Sequence, residues 1–105
     1  MGLPTESNVE EWLKKLGESD QPYAAACATL TVKKESLKIA KARALGATGT
    51  AAEKERTALT SPEYQIAIEE LRDAEYEKKL LELRRTQYTL GIDVWRSLNA
   101  NMRKT

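Results

Sequence analysis

The sequence predicts an all-α protein: a helical hairpin with a long, coiled-coil-like C-terminal helix, built to form an oligomer. Three observations predict it. The apolar share, 41% of 105 residues, is mostly Ala and Leu, and Glu, Lys, Arg and Gln supply much of the rest; these are strong helix formers. Alternating strand patterns and Asn-Gly or Asp-Gly hairpin signals are missing. From Pro62 onward some 40 residues run without another proline and with one glycine, Gly91, enough for a helix of roughly 60 Å. The chain reads as a single domain over 1–105, with 62–103 as its oligomerising helix.

The elements follow in order. Ser7-x-x-Glu10 has the spacing of a capping box. Val9, Trp12, Leu13 and Leu16 then repeat at the interval of one buried helix face. Gly17 and Glu18-Ser19-Asp20 should end this helix, and Pro22 should open the next, which runs to about Leu45. Leu30, Leu37, Ala40 and Ala44 line one side of it, and Lys34, Lys38 and Lys41 share another. Gly46-Ala47-Thr48-Gly49 makes the turn. Thr50-x-x-Glu53 predicts a second capping box and a short helix through about Leu59; Ser61-Pro62 starts the last one.

Within that last helix Ala67, Leu71, Ala74, Lys78, Leu81, Arg85, Tyr88, Ile92, Trp95, Asn99 and Met102 alternate four and three apart. A second stripe, Leu80, Leu83, Leu90, Val94 and Leu98, lies beside the first. Two adjacent stripes suit a helix with neighbours on two sides. Alanine-rich packing buries little area, so further copies are expected to supply burial in a homo-oligomer larger than a dimer. Its candidate interface is Leu81, Tyr88, Ile92, Trp95, Leu98, Asn99 and Met102.

Several chemistries are set aside. Without histidine there is no Ser-His-Asp triad, Cys-His dyad or common zinc site. Glu69, Glu70, Asp73 and Glu77 read as a solvated acidic face, and Cys27, in an alanine run, as a packed thiol. Gly46-Ala-Thr-Gly49 lacks the Lys-Ser/Thr of a phosphate loop. No enzyme, metal or cofactor is expected. No apolar run approaches the length of a membrane span, and the start lacks a signal peptide's regions; a cytoplasmic protein with no membrane partner is expected, in the host cytoplasm if phage-encoded.

Net charge is +1, but it is partitioned: residues 1–20 carry −3, 21–48 carry +4, 49–75 carry −4 and 76–105 carry +4. One reading pairs acidic arms against basic ones inside a hairpin. The other gathers Lys33, Lys34, Lys38, Lys41 and Arg43 with Arg84, Arg85, Arg96, Arg103 and Lys104 into a surface for a phosphate backbone. Trp95, followed by Arg96, is either core or a base-stacking platform in such a surface.

Ser61-Pro-Glu-Tyr64 through Ile92-Asp-Val-Trp-Arg-Ser-Leu-Asn-Ala-Asn-Met-Arg103 looks like the C-terminal part of small phage-encoded helical proteins. The organisation over roughly residues 40–103 resembles UvsY-type recombination mediators. The resemblance implies a ring-forming homo-oligomer that binds single-stranded DNA, helps load a recombinase and acts on the single-strand-binding protein. A structural or adaptor oligomer of a phage particle, or a small inhibitor or adaptor of a host enzyme, is the alternative.

Overall fold

The computed structural model describes residues 3–45 and 49–103, with the side chain of Arg103 outside the description. Among the described residues three helices follow one another: α1 over Glu6–Leu45, α2 over Ala51–Thr60 and α3 over Pro62–Arg103. No strand occurs among the described residues. The chain divides into two compact units. One joins Met1–Ala24 with Lys79–Thr105, and the other is Ala25–Lys78.

Two expectations for the N-terminal region are corrected. The capping residue is Thr5, two residues before Ser7, and the helix begins at Glu6. Thr5 Oγ1 accepts the Asn8 N–H at 3.2 Å, and Asn8 Oδ1 accepts the Thr5 N–H at 3.0 Å. That is the reciprocal logic of a capping box with Asn in the place of Glu. Ser7 is an exposed residue of the first turn.

The second correction is larger. Gly17–Asp20 does not end a helix and Pro22 does not begin one; α1 is continuous for 40 residues with Pro22 inside it. An interior proline ordinarily costs about 3 kcal/mol and a glycine about 1 kcal/mol against alanine, because proline removes an N–H and crowds the preceding turn. Contacts from α3 hold the segment helical. Arg85 Nη1 donates to Asp20 Oδ1 at 2.8 Å, to Ser19 Oγ at 2.7 Å and to the Leu16 carbonyl at 3.4 Å. Ser19 Oγ donates to that same carbonyl at 2.7 Å. The guanidinium lies 5.1 Å from the Tyr23 ring centroid, and Tyr23 donates its hydroxyl proton to Glu82 at 3.0 Å. One arginine thus bridges the turn before Pro22 and the aromatic residue after it.

In this first unit Val9 and Ile92 are buried, with Trp12, Leu16, Leu81, Tyr88 and Trp95 half-buried. Gly91 lets the Trp12 ring lie flat on α3: a Cβ there would sit 2.7 Å from Trp12 Cζ3. From Leu81 to Asn99 the first stripe read from the sequence is therefore the face that α3 turns toward α1; Met102, also expected on it, is instead 72% exposed.

The second unit packs differently. Its buried residues are Ala26, Leu30, Ala58, Ala67 and Ala74, so four of the five are small side chains. The predicted box at Thr50 is present: Thr50 Oγ1 accepts the Glu53 N–H at 3.2 Å and Glu53 Oε2 accepts the Thr50 N–H at 3.1 Å. Gly49, at φ +104°, supplies the left-handed turn; the expectation for Gly46, Ala47 and Thr48 lies outside the described residues. Ser61 divides α2 from α3 as expected, its N–H donating to the Ala58 carbonyl at 3.2 Å and its carbonyl accepting the Gln65 N–H at 3.0 Å.

Candidate nucleic-acid interface

The basic residues singled out in the sequence fall into different situations. In the Ala25–Lys78 unit, Lys33 Nζ lies 3.0 Å from Glu70 Oε2 and Lys41 Nζ lies 3.0 Å from Glu55 Oε1. The Glu55 carboxylate, by hydrogen bond first and charge second, raises the Lys41 pKa above its ordinary value. The +4 segment thus meets the −4 segment by direct ion pairs, as the hairpin reading of the charge pattern expects. Lys38 is exposed and, among the described residues, bridges to Glu35 on its own helix, at 3.2 Å. Lys34 and Arg43 are exposed, and neither has a carboxylate partner among the described residues. Of the basic residues singled out in the sequence, Lys34, Lys38 and Arg43 are the ones this unit leaves most available; Arg56 and Arg72 are exposed as well.

In the other unit Arg85 is the most enclosed of the candidates, its side chain 29% exposed and its charge met by Asp20. Its role is to hold α1 to α3. Arg84 is exposed and lines a shallow groove with Lys15, Glu18, Ser19, Leu81 and Tyr88. Lys15 was not among the sequence candidates. Its ammonium lies 5.9 Å from the Tyr88 ring centroid and 3.0 Å from Glu11 Oε1, and Glu11 raises its pKa. The i,i+4 pairing with Glu11 makes it look like an ordinary solvated lysine in the sequence; nothing local signals Tyr88.

Arg96 is exposed, 4.0 Å from Asp93. Trp95 is half-buried on the inward face, as are Leu81, Tyr88, Leu98 and Asn99, while Ile92 is 5% exposed and Met102 72%. The Arg103 side chain and Lys104 lie outside the described residues. Cys27 is a half-buried free thiol.

Among the described residues no group of His, Cys, Asp and Glu has the arrangement to hold a metal ion, and no helix is long and apolar enough to cross a membrane. No family model, curated protein or solved structure matches the chain.

Proposed function

We propose that the protein is a non-catalytic, self-associating helical platform for single-stranded DNA, working as the recombination mediators that its C-terminal sequence resembles. The observation that carries this reading is a set of exposed cations with no carboxylate partner among the described residues, which includes Lys34 and Arg43 on α1, Arg56 on α2 and Arg72 and Arg84 on α3. Lys38 and Arg96 add to them, each tied, among the described residues, to a nearby acid of its own helix. Such side chains release counterions on meeting phosphate, giving binding without sequence preference and with strong salt dependence. Multiplying these few cations by self-association raises avidity without any new contact. A recombinase and a single-strand-binding protein are the partners that this role brings.

A second reading, a protein-binding adaptor, is favoured by Lys33, Lys41 and Arg85, whose charges are met inside the chain. Fluorescence anisotropy with a labelled single-stranded oligonucleotide at two salt concentrations separates the two. The DNA reading expects binding that weakens steeply with salt, and weakens further in Lys34→Ala with Arg43→Ala. Absence of binding at low salt overturns it in favour of the adaptor.

A further inference from the structure

The middle of the second stripe of α3 remains on the outside, while Leu80 and Leu98 at its two ends are half-buried. Leu83, Leu90 and Val94 are 51%, 58% and 48% exposed, whereas Ile92 on the inward stripe is 5% exposed. Leu80, Leu83, Gln87, Leu90 and Val94 are spaced three, four, three and four apart, the interval of a coiled-coil seam with one polar position. An exposed apolar row of this regularity marks an interaction face.

We infer that a second copy of this chain docks on this outer seam, antiparallel, about a two-fold axis near Thr86; the inference rests on the self-association in the proposed function. Charge complementarity selects the occupant and its direction. Lys79 and Asp93 flank the seam on one side, equally far from Thr86. In the antiparallel arrangement Lys79 of each copy faces Asp93 of the other. In the parallel one, Lys79 falls opposite Arg84. Both residues are available: Lys79 lies 3.9 Å from Glu82 and Asp93 lies 4.0 Å from Arg96, with their side chains 70% and 58% exposed. The same register stacks Leu80 on Leu90 and Leu83 on Gln87. Arg84 meets its own counterpart near the axis, a solvent-exposed repulsion that salt screens. An isologous contact closes on itself, so with the inward stripe occupied by α1 the assembly stops at two copies, fewer than the sequence alone suggests.

The test is the solution mass of the full chain by light scattering and analytical ultracentrifugation, without DNA. Two copies are expected at micromolar concentration. Leu90→Asp should raise the dissociation constant by about 30-fold or more while leaving far-UV circular dichroism unchanged, since Leu90 is exposed in the single chain. Lys79→Asp should weaken pairing by setting like charges opposite, and adding Asp93→Lys should restore it. A wild-type monomer, an assembly of three or more copies, or failure of the charge swap to restore pairing overturns the proposal. Because mass is read without nucleic acid, absence of DNA binding leaves this result untouched.

Discussion

The two units join helices by opposite means. Where Glu6–Ala24 of α1 meets Lys79–Arg103 of α3, packing uses large shapes: Trp12 on Gly91, Tyr88 under Lys15, and Arg85 reaching three acceptors. In the Ala25–Lys78 unit, alanines at 26, 58, 67 and 74 are buried and ion pairs close the edges. Few, specific contacts carry the first unit, so single changes there should be costly. Close approach of many small groups carries the second, whose edge charges should matter little.

The largest break in that contrast is Ile92→Ala. Truncating a buried isoleucine costs about 2–5 kcal/mol, and hydrogen exchange should quicken first in 6–24 and 79–102. Equal quickening across 25–78 would show that the two units are not distinguished by their packing. Next comes the Arg85 bridge. Arg85→Ala removes hydrogen bonds to a charged donor, each worth about 1.5–3 kcal/mol at full strength, less here for partial exposure. In a Pro22→Ala background the same substitution should cost less, since the segment no longer needs holding helical. A double-mutant cycle read by denaturant unfolding checks this; strict additivity would detach Arg85 from Pro22.

The glycines sharpen the contrast further. Gly91→Val forces a side chain into the Trp12 ring, an overpacking of about 1–3 kcal/mol. Gly17 has nothing within 4 Å of a Cβ, so Gly17→Ala should stabilise by up to about 1 kcal/mol. Thermal unfolding should move in opposite directions for the two. The smallest effect concerns the Ala25–Lys78 unit. The raised Lys41 pKa means that its pairing with Glu55 contributes fully below the unfolded-state pKa of about 10.4. That contribution is lost as pH rises through the folded-state value. Comparing Lys41→Ala with the wild type, a small stability difference at pH 8 should shrink toward pH 11.

Features set by neighbouring residues were legible in the sequence. Thr50 and Glu53 cap each other within one turn, and Ser61-Pro62 divides two helices whatever surrounds them. The break expected at Gly17–Pro22 failed because Arg85, more than sixty residues away, supplies what the local sequence lacks. Periodicity correctly marked the inward stripe, Ala67 through Asn99, but it names a face and not its occupant. From Leu81 to Asn99 that face is turned to α1. The charge pattern had the same ambiguity: Lys33 and Lys41 looked as available as Lys34, and only their distances to Glu70 and Glu55 tell them apart. Lys15 went unnoticed because its aromatic neighbour is distant in the chain.

Trp12 and Trp95 are the chain's two tryptophans, and both belong to the unit containing the chain's ends. Intrinsic fluorescence excited at the indole band is therefore a local reporter, blind to residues 25–78. Circular dichroism at 222 nm, by contrast, averages over all three helices. Superimposable melting curves from the two signals would show that the ends and the middle of the chain unfold as one cooperative system. Separated curves would assign each transition to its unit without any label.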